Sequence, residues 1–250
     1  MRPRIYKDND PSVLYLSPSG LGDMLKCEKC FLLDKGGLGI KQPAGIFPGL
    51  PSGMDDILKL YHDGYREKAE LPPYLATKVP GLLYANQSEL KKMQNWKTGL
   101  RYEAVIDKRK VCLRGAIDDL ITRFDGNHST FDFKTKRKEP QDDGSQYYQT
   151  QLDCYELLLE HNEFPMSGVG FLAYTWPAKA TTPDDLSLRV DVDFQWKVYA
   201  LNTSSTNALT LLDKAVEIIN RRKAESSPDC QYCNYHTQRS EIDIISVPLL

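Results

Sequence analysis

The sequence lacks a long apolar run, a large excess of charge of one sign and an internal repeat. None of its apolar stretches reaches the ~18 residues that a membrane span needs, and the first residues, MRPRIYKDNDPS, hold no apolar segment of the secretory type. The formal net charge of the 250 residues is -2, so the chain is not basic as a whole. These absences exclude membrane-spanning and globally basic proteins and lead us to expect a cytoplasmic protein without a membrane partner.

The composition predicts one globular domain over residues 1–250. With 41% hydrophobic and 26% charged residues, the chain is long enough and apolar enough to bury a full core. Because the whole chain is not basic, binding to a polyanion would need local clusters of Lys and Arg. Three short clusters occur, at residues 108–110, 134–138 and 221–223, and each one alone is typical of a solvated surface.

The order of predicted elements is helix, antiparallel strands, helix, strand. Helices are expected at residues 17–33, from Gly53 onwards, and at 88–97, 145–160 and 206–223; strands at 102–106, 110–113, 116–124, 129–135, 169–176 and 188–201; and an irregular loop at 34–52. This order predicts an α/β fold in which a largely antiparallel sheet is flanked by helices.

An acidic pair and a lysine stand on two neighbouring predicted strands. The first strand carries the segment Gly115-Ala-Ile-Asp118-Asp119, and the second carries Asp132-Phe-Lys134. The turn residues 125–127 predict a hairpin that brings Asp118 and Asp132 to one end of the sheet, with Lys134 on the same face as Asp132. Two carboxylates can hold a hard divalent cation, and a nearby lysine can orient or activate water, which favours metal-assisted hydrolysis of a phosphodiester.

Neighbouring residues compete for the same roles. Strand alternation sends Asp118 and Asp119 to opposite faces, and the Gly115-x-Ile117-Asp spacing favours Asp118 as the ligand. Gln151 and Tyr155 lie at i and i+4 on the following helix, so they share a face that can contact a phosphate or a base. The alternative is that Tyr155 is a core residue with a polar tip and Gln151 a boundary residue.

Together these motifs resemble the PD-(D/E)xK nuclease superfamily, in particular its RecB-like branch, which includes the RecB and AddB nuclease domains and CRISPR-associated RecB-like nucleases. The resemblance implies a restriction-endonuclease-like core, αβββαβ with a mixed sheet, over residues 53–176. It also implies that Asp118 and Asp132 bind Mg²⁺ or Mn²⁺, that Lys134 positions water or stabilises charge, and that Gln151 and Tyr155 contact DNA.

The activity implied by the resemblance is metal-dependent cleavage of DNA, as single strands or duplex ends. The setting is repair, recombination or foreign-DNA processing, with other repair or CRISPR proteins as partners. Many relatives carry a His on the first core helix as a further ligand; the matching residues 52–57 offer Asp55 instead, although an acid there also suits the helix dipole. Glu103 matches an acid of some relatives. The alternatives are a catalytically silent nucleic-acid- or protein-binding module and a structural subunit of a repair complex.

Four of the six cysteines form two pairs, Cys27-x-x-Cys30 and Cys230-x-x-Cys233, in segments 17–33 and 225–236. In a reducing compartment this spacing favours a metal over disulfides, and four free thiols are the alternative. Four thiolates suit either a [4Fe–4S] cluster or a tetrahedral zinc ion, and either would join the two ends of the chain.

Several RecB-like nucleases hold an iron–sulfur cluster with one N-terminal and three C-terminal cysteines, so the resemblance implies a [4Fe–4S] cluster, with structural Zn²⁺ as the alternative. This chain differs, since it has two and two, with His236 near the second pair. Cys112 and Cys154, outside the pairs, are expected to be small buried apolar residues.

Overall fold

The computed structural model describes residues 4–45, 49–97, 99–140, 142–178 and 192–241. The helices are α1 (Pro18–Lys26), α2 (Glu28–Lys35), α3 (Gly49–Arg66), α4 (Gln87–Met93), α5 (Gln149–His161), α6 (Ser205–Arg221) and α7 (Gln231–Glu241), and a 3-10 helix over Asp142–Tyr148 leads into α5. The strands are β1 (Val13–Leu16), β2 (Gly81–Leu83), β3 (Leu100–Ile106), β4 (Arg109–Gly115), β5 (Asp119–Arg123), β6 (His128–Thr135), β7 (Val169–Pro177) and β8 (Phe194–Asn202). No helix in these ranges is both long and apolar enough to cross a bilayer.

The strands form two mixed sheets flanked by helices, which confirms the predicted α/β class. The smaller sheet has the order β1-β4-β3 and the larger one the order β2-β5-β6-β7-β8. In the larger sheet β6 and β7 are parallel, so the chain crosses over between them through α5, while the other neighbours are antiparallel. The single sheet expected from the sequence is therefore divided into two.

The predicted hairpin is formed by β5 and β6. Asp119 pairs with Phe131 and Leu120 with Thr130 in antiparallel register. Extending this register by one residue places Asp118 opposite Asp132. The turn between the strands includes Gly126 at φ +86°, a left-handed conformation that glycine adopts without a steric penalty.

Helix α5 is the centre of the main core. All residues from Leu152 to Leu159 are buried, because α5 packs with α1, α6 and the smaller sheet as well as with the larger sheet. The opposite face of the larger sheet is covered by α3, whose Leu58 packs in a second apolar cluster with Phe131 and Phe133. The larger sheet thus lies between α3 on one face and α5 on the other.

Gly115, at the end of β4, lets α5 approach closely. A Cβ at this position would lie 2.5 Å from Leu158 Cδ1 and 3.5 Å from Tyr155 Cε1. Since the first distance is shorter than a van der Waals contact, any larger residue would push against the helix that carries Gln151 and Tyr155. The close packing of α5 on β4 thus explains the glycine of the Gly115-Ala-Ile-Asp118 motif.

Several predicted boundaries differ from the structure. The helix expected at residues 17–33 begins as predicted, with Ser17 accepting a hydrogen bond from the Gly20 amide at 3.1 Å and Pro18 at the first position. It is nevertheless two helices, because Cys27 adopts an extended conformation between α1 and α2. The loop expected over residues 34–52 overlaps α3, which starts at Gly49. Residues 188–191 of the expected strand 188–201 lie outside the described residues.

Candidate active site

The carboxylates of Asp118 and Asp132 lie together where β5 begins opposite β6. Asp118 Oδ2 accepts a hydrogen bond from the Phe133 amide at 2.9 Å, and the Asp118 carbonyl oxygen accepts one from the Gln94 side chain at 2.7 Å. Asp132 is 1% exposed, and the Lys134 ammonium is in direct contact with its Oδ2. The acid, acid and lysine predicted from the motifs are thus in one place, although their chemical roles stay predictions.

Helix α5 adds Gln151 and Tyr155 to this group. Gln151 Nε2 lies 3.0 Å from Asp132 Oδ1, to which it donates, and 2.6 Å from the Tyr155 hydroxyl. Tyr155 is buried, and burial together with the nearby Asp132 carboxylate raises the pKa of its hydroxyl well above the usual value, so it stays protonated. We call these five residues, Asp118, Asp132, Lys134, Gln151 and Tyr155, the carboxylate site.

Helix α3 brings Asp55 and a second lysine to the edge of the carboxylate site. Lys59 Nζ lies 2.6 Å from Asp55 Oδ2 and 3.6 Å from Asp118 Oδ1. Burial and the Asp118 carboxylate raise the pKa of Asp55. The sequence reasoning missed Lys59; the signal was its i+4 spacing from Asp55, which puts both side chains on one helix face.

Burial and the two close carboxylates shift the pKa values of the ionisable groups in the carboxylate site. Burial and the neighbouring Asp118 carboxylate raise the pKa of Asp132 to about 7. Burial disfavours the charged form of Lys134, but the Asp132 and Asp118 carboxylates outweigh it and raise the pKa of its ammonium. Lys134 therefore stays a cation, which suits it to orient water or stabilise negative charge and not to accept a proton.

The donor atoms of the carboxylate site fit a hard divalent cation. Asp132 Oδ2 is a buried oxygen in contact with the Lys134 ammonium, and a bound cation would take the place of that ammonium. Two carboxylates supply the oxygen ligands that Mg²⁺ and Mn²⁺ prefer. The residues present thus suit such a metal, which Asp118 and Asp132 would hold, with Asp55 near Asp118.

Asp119 belongs to a separate buried network on the opposite face of the sheet, as strand alternation predicts. His62 Nδ1 lies 2.7 Å from its Oδ2, and Arg66 Nη2 donates to both of its oxygens at 2.8–2.9 Å. His62 Nε2 in turn contacts the Tyr74 hydroxyl. Helix α3 therefore does carry a buried histidine, but both of its ring nitrogens are already engaged away from Asp118.

Two features explain what the sequence reasoning missed here. The resemblance was matched only to residues 52–57, and His62 lies further along α3. The available signal was the recurrence of polar residues at positions 55, 59, 62 and 66, which share one helix face. Glu103 serves elsewhere: it lies on β3 in the smaller sheet and accepts hydrogen bonds from the Ile5 and Tyr6 amides at 2.6 and 3.3 Å.

The four paired cysteines form a second cluster, the cysteine site, at the junction of α1, α2 and α7. Cys27 Sγ is 3.8 Å from Cys233 Sγ, and Cys30 Sγ is 3.6 Å from the sulfurs of Cys230 and Cys233. All four sulfurs lie within 4.8 Å of one another. Burial opposes ionisation of Cys27, but backbone hydrogen bonds at Ser227 and Cys30 lower the pKa of its thiol to about 7. The cluster can bind a metal.

The remaining cysteines and His236 are not part of this cluster. Cys112 and Cys154 are fully buried single thiols, which confirms the expectation that they are small core residues. Burial raises the pKa of Cys154 to about 12, so this thiol is unreactive. His236 is exposed on α7 and is absent from the group of four ligands.

The fold and the carboxylate site together define a class: α/β proteins with an acidic pair and a lysine at one end of a mixed sheet. A family model described as the PD-(D/E)XK nuclease superfamily matches residues 54–238. The chain belongs to the PD-(D/E)XK nuclease superfamily, and this membership indicates a nuclease that acts on nucleic acid.

Comparison with solved structures and with curated proteins gives two further findings. The solved structure described as the crystal structure of SSO0001 superposes with a TM-score of 0.45 at 14% identity, covering 94% of this chain and 87% of that chain. This likeness is too distant to carry functional information. A search among curated proteins finds no match.

Proposed function

We propose that this protein is a metal-dependent DNA nuclease of the RecB-like branch that hydrolyses phosphodiester bonds at the carboxylate site. Asp118 and Asp132 would hold Mg²⁺ or Mn²⁺, which would supply Lewis-acid stabilisation of the charge that develops on the phosphate. The observation that carries the proposal is that a second carboxylate, Asp118, and the Lys134 ammonium converge on the buried Asp132, whose carboxyl pKa is raised to about 7.

The other residues of the carboxylate site position the reactants in this proposal. The Lys134 ammonium orients the attacking water and stabilises negative charge on the phosphate, since it keeps its proton. Gln151 fixes Asp132 Oδ1 through its amide and has its carbonyl free of that bond to contact DNA. The protonated Tyr155 hydroxyl, next to Gln151, can donate to a phosphate oxygen.

The test compares cleavage of single-stranded and duplex DNA with Mn²⁺ and with EDTA. We expect wild-type protein to cleave only with metal, and Lys134→Ala to lose activity by about a hundredfold or more. Lys138→Ala, which removes an exposed lysine four residues along the chain, is the matched control and should cleave as wild type. Equal cleavage by Lys134→Ala and wild type would refute the assignment of the carboxylate site.

The alternative function is a catalytically silent nucleic-acid- or protein-binding module on the same fold, for which this test predicts no cleavage. The ammonium groups of Lys59 and Lys134 already neutralise part of the charge of Asp118 and Asp132. If these ion pairs kept metal out, the protein would bind DNA without cleaving it under any divalent cation. The setting that the resemblance implies, repair, recombination or processing of foreign DNA in a reducing cytoplasm, is part of the proposal.

For the cysteine site we propose a single tetrahedral zinc ion in preference to a [4Fe–4S] cluster. With a zinc–sulfur bond of ~2.3 Å, tetrahedral geometry places ligand sulfurs ~3.8 Å apart, and the observed separations include 3.6 and 3.8 Å. In a cubane cluster each thiolate binds a different iron, so the sulfurs must stand around the whole cube and lie farther apart. The sulfur spacing thus supports the smaller of the two groups.

Metal analysis of anaerobically purified protein decides between the two groups. We expect a colourless protein with one equivalent of zinc, lost in Cys230→Ser and kept in Cys154→Ala, which removes a buried thiol outside the cysteine site. A brown protein with iron and sulfide, absorbing near ~400 nm, would establish the cluster instead.

A further inference from the structure

A cleft of about 820 Å³ opens beside the carboxylate site. Its inner end is formed by Gln151 and Tyr155, and its walls run along α1 and the 3-10 helix towards Trp96. Gln151 also donates to Asp132 Oδ1 at 3.0 Å. A ligand bound along this cleft would therefore extend towards the buried Asp132 carboxylate.

Two aromatic side chains on the walls of the cleft are unusually exposed. Tyr147 is 68% exposed and Trp96 is 66% exposed, although aromatic residues normally bury most of their surface. Each has an ammonium group over one face of its ring: Lys26 Nζ lies 5.6 Å from the Tyr147 centroid, and Lys97 Nζ lies 5.5 Å from the Trp96 centroid. A base can stack on the opposite ring face while its phosphate contacts the ammonium group.

More cations than acids line the cleft, although the whole chain carries -2. Three cations, Lys26, Lys35 and Arg114, line it against one acid, Asp23. Each cation has an acidic partner: Lys26 pairs with Asp23 and Lys35 with Asp34, both at 3.0 Å, and Arg114 lies 3.6 Å from Asp8. A phosphate backbone would share these cations with their acids, so the aromatic side chains and not the charge distinguish the cleft.

We propose that this cleft binds one unpaired nucleic-acid strand by stacking bases on Tyr147 and Trp96, and guides that strand to the carboxylate site. In a duplex the base faces are stacked on one another and cannot reach Tyr147 or Trp96, whereas every unpaired base offers a free face. The cleft therefore selects single strands without selecting sequence. This inference rests on the proposed nuclease function, for which it supplies the substrate form.

Binding measured in EDTA, under conditions in which metal analysis shows that the cysteine site keeps its metal, tests the cleft without cleavage. The probes are a short oligothymidylate, a blunt duplex of the same length and an abasic strand of the same length, followed by fluorescence anisotropy and by quenching of tryptophan emission. We expect the oligothymidylate to bind at least about tenfold more tightly than the other two, since it alone combines free base faces with charge.

Point variants locate the binding on the aromatic side chains. Tyr147→Ala and Trp96→Ala should each weaken oligothymidylate binding by about tenfold or more, and Trp96→Ala should also abolish the quenching. Phe124→Ala, which removes a 78% exposed aromatic ring from the β5–β6 turn, should bind as wild type. All three side chains are exposed, so these changes should leave the protein folded.

Each contrary outcome points to a different fault. Unchanged binding by Tyr147→Ala and Trp96→Ala, or an abasic strand bound as tightly as the oligothymidylate, would overturn the stacking inference. Equal binding of the duplex would overturn the selection for single strands. Stacking-dependent binding in EDTA without cleavage in Mn²⁺ would instead refute the nuclease proposal and leave the cleft assignment standing.

Discussion

The carboxylate site and the cysteine site are assembled in opposite ways. The carboxylate site comes from one hairpin and the helix that follows it, so its members are close along the chain. The cysteine site joins residues that are 206 positions apart, Cys27 and Cys233. Local register thus creates the site that we propose for chemistry, and a long-range closure creates the site that we propose for stability.

This contrast predicts that the two sites fail differently. Loss of an acid from the carboxylate site should remove activity and leave the fold, because the raised pKa of the buried Asp132 shows that its charged form lowers the stability of the metal-free protein. Loss of a cysteine should remove stability and leave the chemistry of any molecules that stay folded, because a structural metal contributes folding free energy directly.

The largest effect is expected at the cysteine site. Cys233→Ser should release the metal and lower the free energy of unfolding by about 5 kcal/mol or more, since structural zinc in small domains contributes on this scale. Urea unfolding monitored by circular dichroism measures the loss. Cys154→Ala is the control and should cost about 1–2 kcal/mol for a small buried cavity. Equal losses in both variants would contradict a metal-dependent closure.

The next effect is on cleavage. Asp132→Asn should reduce metal-dependent cleavage by at least about a thousandfold, roughly 4 kcal/mol in activation free energy, because it removes one of the two proposed anionic ligands. Its thermal midpoint in EDTA should not fall by more than a few degrees. Asp125→Asn, at the tip of the same hairpin, should cleave as wild type. Cleavage at the wild-type rate in Asp132→Asn would contradict the proposal that Asp132 is a ligand of the catalytic metal.

A packing change should affect the carboxylate site through α5. Gly115→Ala places a methyl group against Leu158 and should cost about 1–3 kcal/mol by overpacking, together with reduced cleavage because Gln151 moves with the helix. Gly64→Ala has open space around it within α3 and should stabilise the protein by up to about 1 kcal/mol. Paired denaturation and cleavage assays measure both effects.

The pH dependence of metal binding tests whether Asp132 is a metal ligand. The raised pKa of Asp132, about 7, means that the metal-free folded protein holds a proton that the unfolded chain has lost. Stability without metal should therefore fall as pH rises from the usual Asp pKa towards 7. A metal must displace this proton, so the rise in Tm with Mn²⁺ should be larger at about pH 8 than at about pH 6. A pH-independent rise would contradict Asp132 as a ligand.

The smallest effect is expected at the periphery of the carboxylate site. Asp55→Asn removes the partner of Lys59 and a carboxylate near Asp118, and should weaken Mn²⁺ binding by less than about tenfold. Asp56→Asn, an exposed neighbour one residue along, should bind Mn²⁺ as wild type. Isothermal titration with Mn²⁺ separates the two. A loss as large as that of Asp132→Asn would make Asp55 a full ligand.

The sequence was most informative where structure depends on neighbouring residues. The alternation of β5 and β6, the turn between them and the i,i+4 spacing of Gln151 and Tyr155 were enough to predict which side chains meet. It was least informative for β1 and β2, with four and three residues, because strands this short show no periodicity and form only against a partner.

The division of α3 into functional and structural residues could not be read from the sequence either. His62 and Arg66 are buried because Asp119 offers them charge and hydrogen bonds from the sheet. That partner is 57 residues away from His62, so helix periodicity alone predicts an apolar residue at such a position. Lys59 was missed because its partner Asp118 is also distant in the sequence and contacts it only in the folded protein.

The most direct test is anomalous scattering from crystals soaked in Mn²⁺. We predict a manganese peak at Asp118 and Asp132, with the Lys134 ammonium displaced from direct contact with Asp132 Oδ2. A manganese ion bound elsewhere, with Asp118 and Asp132 still paired to Lys59 and Lys134, would contradict the proposal that this hairpin is the catalytic centre.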